Sequence, residues 1–242
     1  MNKLFVIPIF FFIVSSADGQ GTKQDTVFLS SSIKNTKSLY QKWMGAQSHL
    51  YNGSSAIRYN SDINLQPFYL SDWEDGSLYY DDELYEDVPL MYDLVSDQLI
   101  VSQVDSYADI ELVSTKVDWF TIKDHNFIHL GNHPSDKELE NGFYEVLYDG
   151  NVKLFARRKR IITESIEQQR VVSKVSEMNR YFIYKDGVYV QVKKRSSILK
   201  VLNDMEKELK YYSKQHQLDF RRETEASLLS IVSHYDQANN VK

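Results

Sequence analysis

The stretch from Leu78 to Leu130 constrains the fold more than any other. It is a series of short apolar and aromatic runs, most alternating with period two, separated by Asp, Ser, Lys and Asn. Each run is too short for a helix, and the alternation is that of half-buried strands. The pattern predicts a continuous antiparallel meander with strands over 78–80, 84–85, 90–95, 98–104, 108–114, 116–122 and 126–130. A chain built around such a block folds by pairing strands, and everything else must cover the sheet or close its ends.

Upstream, Leu39, Tyr40, Trp43, Met44, Gln47 and Leu50 recur at three and four, which predicts an amphipathic helix over 33–50. Pro67 to Leu70 reads as a short edge strand. Downstream, Asp149-Gly150 and Asp186-Gly187 each separate two alternating runs, the strongest short-range hairpin signal. A two-residue turn at Asp149-Gly150 would set Leu147 opposite Val152 and Phe143 opposite Ala156. The second hairpin sets Ile183 opposite Val190 and Tyr181 opposite Val192. Between them, the β-branched pairs Ile161-Ile162 and Val171-Val172 favour extended structure broken by a loop. Over 197–237 the period becomes helical, with Asn203 and Glu206 at capping-box spacing and Asp219 placed to cap the last helix. These elements predict an α+β fold. A large curved antiparallel sheet over 56–192 carries an N-terminal helix and a C-terminal helical hairpin, in a single domain over 20–242.

The first nineteen residues read as a signal peptide. Lys3 is the positive start, Leu4 to Val14 the apolar core, and Ala17 or Gly19 the cleavage point. The apolar run is far shorter than the roughly 20 residues that span a bilayer, and no second such run follows, so no transmembrane segment is predicted. The chain has no cysteine, which excludes a disulfide scaffold and the lipid-bearing residue of a bacterial lipoprotein. The expected location is the periplasm or the medium. The net charge is -6 and unevenly spread: 14 acids and no Lys or Arg between Asp62 and Glu111, against 13 Lys/Arg and 4 acids between Gly150 and Lys200. The simplest account is that the two regions face one another, or neighbouring subunits, and largely neutralise. Nucleic acid is not an expected partner.

Motifs for chemistry are few. His125, His129 and His133 recur every four, but on a strand His125 and His129 would stand roughly 13 Å apart. The acids Asp72, Glu74, Asp75, Asp81, Asp82, Glu83 and Glu86 only partly match a calcium loop, with the glycine out of place. There is no strained serine elbow and no dinucleotide fingerprint. Glu/Asp pairs suited to acid–base work are numerous, and none of these pairs is singled out by apolar flanks on both sides. No cofactor, metal site or catalytic residue is therefore predicted. The candidate contact residues are Tyr79, Tyr80, Tyr85 and Tyr92, from the 17 tyrosines of the chain, and the basic run represented by Arg157, Arg158 and Arg160. Tyrosine offers stacking area with a polar tip.

The segments Leu78 to Asp81, Tyr85 to Leu94 and Asp97 to Leu99 resemble a group of uncharacterised exported proteins of the Bacteroidetes. The likeness extends through Gly142 to Gly150, Tyr189 to Leu199 and Phe220 to Asp236. The resemblance implies an exported protein of a Gram-negative bacterium and carries over no functional residue. The leading expectation is a soluble, non-catalytic periplasmic accessory or binding protein whose partner is an envelope protein. A carrier of a lipid, glycan or other apolar ligand and a hydrolase, metal-dependent or not, are the alternatives.

Overall fold

The computed structural model describes residues 49–56, 59, 66–102, 109–131, 139–167 and 170–240. The helix expected over 33–50 lies almost wholly outside them; its last residues form a 3-10 turn, His49–Tyr51, that buries Leu50. The short strand β1 (Ser54–Ser55) follows. The segment before the main strands is a single bridge from Phe68 to Asp93, closed by Tyr69 N–H on Tyr92 O at 2.8 Å.

Strands β2 (Glu74–Tyr80) and β3 (Glu83–Asp93) form a hairpin whose turn is Asp81-Asp82, both left-handed at φ 51° and 64°. Aspartate tolerates that conformation, and the mirror-image turn matches the twist of the strands. The acids here are turn residues and partners of lysines, with Lys116 on Asp81 at 3.0 Å and Lys123 on Glu74 at 2.6 Å. β3 is one strand of 11 residues where the sequence suggested two. Val88 pairs with Gly76 but Tyr85 with Leu78, so β3 holds an extra residue, and Asp87 at φ 55° takes up the bulge. Such a bulge bends the strand and leaves pairing intact on both sides.

That bend curls the sheet. β4 (Gln98–Ser102) and β5 (Asp109–Glu111) continue outward from β3, but β6 (Val117–Ile122) does not pair with β5. It returns to the other side of β2, so the expected continuous meander is broken, and Ser114–Lys116 is a 3-10 turn, not strand. The return is short. Leu112 N–H bonds Leu99 O at 2.9 Å, and five residues later Val117 pairs with Tyr80, a reach of at most about 18 Å. Along β3 the same two levels, Tyr92 and Glu83, are separated by roughly 30 Å. Only a sheet folded back on itself reconciles the two distances. Tyr80 Oη donating to Asn52 O at 3.2 Å, beside β1, joins the approaching edges.

The second half adds β7 (His125–Leu130), β8 (Gly142–Asp149) and β9 (Lys153–Arg157). The small sheet β10 (Arg160–Glu167) and β11 (Arg170–Glu177) follows, then β12 (Arg180–Lys185) and β13 (Val188–Val192). The large sheet has eleven antiparallel strands in the order β1-β5-β4-β3-β2-β6-β7-β8-β9-β12-β13. The hairpin at Asp186-Gly187 has the expected register, Ile183 opposite Val190 and Tyr181 opposite Val192. The other does not: Asp149 pairs with Lys153 and Val146 with Phe155, around a longer turn and a bulge near Leu147. The reason is tertiary. The buried Asp236 accepts from Asn151 N–H at 3.2 Å and Tyr148 Oη at 3.1 Å, and a side chain at Gly150 would run into it.

Asp236 belongs to the last of three helices among the described residues, α1 (Arg195–Val201), α2 (Glu206–Gln215) and α3 (Thr224–Asn240). Asn203 lies in a 3-10 turn and Met205 stands at the start of α2, so the expected capping box is not formed. Asp219 Oδ1 instead accepts from Arg221 and Arg222 N–H, tightening the turn before α3. Leu199, Leu209, Leu228 and Ile231 pack on Leu154, Ile183 and Val192 as one core. The curled half has its own core, where Tyr92, Phe120, Phe127 and Phe143 touch ring to ring. The fold is thus α+β with a large curved antiparallel sheet and C-terminal helices, as the sequence predicted. Among the described residues, no helix is long and apolar enough to cross a membrane.

Candidate functional site

Two features of the surface are not explained by core packing alone. The first is a chain of polar groups running from β7 to α3. Glu145 sits in the middle of β8 between apolar neighbours and is 3 % exposed. A carboxylate so placed must be paired. It accepts from His125 Nδ1 at 2.6 Å, Tyr69 Oη at 3.2 Å and Arg158 Nε at 2.6 Å. Arg158 Nη1 in turn holds Glu225, in the first turn of α3, at 2.6 Å, and Tyr181 Oη donates to the same carboxylate at 3.1 Å. Burial pushes the Tyr181 phenol up to about 12. Burial opposes the charge on Arg158, but Glu225 and Glu145 more than offset it and hold the guanidinium protonated.

With Glu145 ionised, the carboxylate only accepts, and the 2.6 Å contact places a proton on His125 Nδ1. The ring is partly exposed. The arrangement resembles the orienting pair of an acid–base catalyst. The nucleophile is missing: among the described residues, the hydrogen-bond partners of His125 are Tyr69 and Glu145. His129 turns into the core against Phe143, and burial lowers its pKa. His133 lies outside the described residues. Among those described, no three His, Asp or Glu side chains are grouped to hold a metal. A groove of about 570 Å³ opens beside this network, lined by Arg180, Tyr181, Gln191, Lys193 and Thr224 among others. Its walls are mainly polar.

The second feature is the β10–β11 ribbon, an arm that stands outside the eleven-stranded sheet. Its register is regular from Arg160 opposite Glu177 to Glu167 opposite Arg170. Its base is fixed firmly. Arg160 N–H bonds Leu94 O at 3.0 Å, and Arg160 Nη1 donates to the carbonyls of Gln66 and Phe68. Arg160 Nη2 reaches Glu177 at 2.8 Å, and Met178 N–H bonds Lys159 O at 2.9 Å. Toward the tip the chemistry changes: Ile166 is 80 % exposed and Val171, directly opposite, 67 %. The extended structure expected here is present, and at its tip Ile166 and Val171 are largely exposed.

Of the residues singled out from the sequence, Arg158 and Arg160 belong to these two features, and the others fall elsewhere. Tyr80, Tyr85 and Tyr92 are buried, with their faces turned into the core. Tyr79 stacks on Trp119 across β2 and β6, centroids 6.5 Å apart. Arg157 is buried, bonded to Asp97 at 2.5 and 2.7 Å and to Phe143 O at 2.7 Å, with its guanidinium over Tyr144. Lys159 and Arg180 share Glu140. Lys159 first, then Arg180, holds that carboxyl down at about 2. The basic run is therefore neutralised inside the protein. Among the described ion pairs only Asp97–Arg157 joins the acidic block to the basic one; the other arginines of the run use Glu145, Glu225 and Glu177. Sequence reasoning missed Tyr69, Glu145 and Glu225. Glu145 did carry a signal, because Phe143-Tyr144 and Val146-Leu147 flank it with apolar side chains.

In the comparisons with known proteins, no family model, curated protein or solved structure matches this chain.

Proposed function

We propose that this is an exported, non-catalytic binding protein of the bacterial envelope, and that it docks on a protein partner through the β10–β11 arm. The observation that carries the reading is the contrast within the arm: a base held by hydrogen bonds to the body, and a tip whose apolar pair Ile166 and Val171 is exposed. A two-stranded ribbon is marginal in water by itself, and a free strand edge with apolar side chains is a template for strand addition. The aromatic-filled interior of the curled sheet favours a solid body over a carrier of an apolar ligand. The mainly polar groove at Tyr181 is likewise poor lining for a lipid.

The test is capture of partners from the envelope fraction by the mature chain at low and high salt. Because the arginines of the basic run are paired internally, and the arm offers apolar surface, the captured protein should remain bound at high salt. Release at high salt would move the contact to the charged surfaces. Co-purified lipid or glycan without a protein would contradict the reading.

One observation favours the hydrolase reading, the oriented His125–Glu145 pair. Its test is a panel of ester and peptide substrates with wild type and His125→Ala. Turnover lost in the variant would support it.

A further inference from the structure

We propose that the groove beside Tyr181 binds an acidic sugar, with its anionic group held between Arg180 and Lys193. The inference goes beyond the docking role and does not rest on the arm, so sugar and protein partner would bind at separate places. The groove takes its lining from both faces of the β12–β13 hairpin, Tyr181 and Val192 on one, Arg180 and Gln191 on the other. It therefore crosses the end of the hairpin, away from the Asp186-Gly187 turn. Thr224, the first residue of α3, belongs to its wall.

The hairpin ends here on a row of like charges. Arg180 is paired with Arg157 of β9, and Tyr181 with Val192 of β13. One step further along that register Lys193 comes opposite Arg180. Directly opposed side chains stand about 5 Å apart at Cβ, and like charges so placed repel unless anions lie among them. Asp97 serves Arg157. Glu140 serves Arg180 but is shared with Lys159. Among the described residues no carboxylate pairs with Lys193. The lining itself holds two cations and no acid. The acids next to it are engaged, Glu177 by Arg160, and Glu225 by Tyr181 and the Arg158 that it shares with Glu145. An excess of positive charge is left at the Arg180–Lys193 end. Arg180 also has a donor to spare there, since its Nη2 faces the thioether of Met178 at 3.7 Å, a weak acceptor. A carboxylate or phosphate oxygen is a far better one.

The rest of the lining indicates what carries the anion. Asn179 and Gln191 bring amides that both donate and accept. Thr224 Oγ1 gives its hydrogen to Phe220 O and keeps its lone pairs for a donor. Groups of this kind suit hydroxyls set around a ring, and Met178 and Val192 supply apolar surface for its C–H face. The volume, about 570 Å³, is that of a small-ligand site. A lipid chain finds too little apolar wall, and an inorganic anion leaves the amides unused.

The test is titration calorimetry of the mature chain with glucuronate, the phosphate monoester of glucose, glucose itself and sulfate. At least one of the two acidic sugars should bind about tenfold or more tighter than either glucose or sulfate, because only it uses both the cations and the amides. Preference between the two acidic sugars then tells carboxylate from phosphate. Lys193→Ala should weaken the acidic sugar by about tenfold or more, with an unchanged melting temperature, since Lys193 is exposed. Gln191→Ala should weaken the acidic sugar and leave sulfate as it was. Loss of the Ile166 and Val171 side chains should leave sugar binding intact, so that failure of the docking role and failure of this site are told apart. Binding of neither acidic sugar overturns the inference, and so does glucose bound as tightly as they are. Sulfate bound as tightly overturns it too, leaving an adventitious ion only. Indifference to Lys193→Ala places any bound sugar elsewhere and also overturns it.

Discussion

The curled sheet and the arm it carries are both antiparallel, built from strands of similar length, yet their side chains are used in opposite ways. In the sheet even the charges are internal: Arg157 is sealed against Asp97, and Glu145 receives three donors. In the arm the branched apolar residues at the tip are largely exposed. Burial and pairing hold the first in one conformation. The second is tied to the body at its base, where Arg160 bonds Leu94, Gln66 and Phe68. On the proposed reading, the docking element lies where hydrophobic residues are left over, not where charge is densest in the sequence.

The largest effect that could break this contrast is at the buried pair. Asp97→Ala leaves Arg157 charged in the core, and should cost about 3–5 kcal/mol in urea unfolding. A loss below 1 kcal/mol would mean that the pair is solvated and the body looser than described. Next comes the strap between β8 and α3. Asp236→Ala deprives Tyr148 Oη and Asn151 N–H of their acceptor, a cost of about 1–3 kcal/mol. It should also free the 150–152 turn, seen as faster amide exchange there.

The pH dependence is smaller and has a definite sign. Glu140 is held at about 2 against an ordinary 4.5, so its contribution is present above pH 4.5 and is lost as pH falls toward 2. Glu140→Gln should flatten the melting temperature over that interval, and a slope equal to wild type would remove Glu140 from the account. The smallest effect belongs to the arm. Ile166→Ser with Val171→Ser should change the stability of the protein by no more than about 0.5 kcal/mol, since both side chains are largely exposed.

Much of the architecture was legible because period-two alternation and Asp-Gly turns are local signals. The 181–192 hairpin kept its expected register, with open space around Gly187 at its turn. The 142–157 hairpin did not, because Asp236, more than eighty residues away, fixes its turn. The broken meander has the same origin: a left-handed Asp87 and one extra residue in β3 bend the sheet until β6 can return to β2. The site was less legible. Tyr80, Tyr85 and Tyr92 read as contact residues by composition, but alternation alone does not say which face of a strand is the core. The basic run 157–160 read as a surface patch, yet its partners Glu140, Glu145 and Glu225 come from distant elements. Glu145 alone announced itself, as an acid inside an apolar strand.

The most direct test replaces residues 162–175 by Asn-Gly, joining Ile161 to Ser176, which already pair across the ribbon. Capture from the envelope fraction is then measured, with the unfolding midpoint as the control. The account predicts an unchanged midpoint and complete loss of capture. Retained capture, or a body that unfolds when its arm is removed, would contradict it.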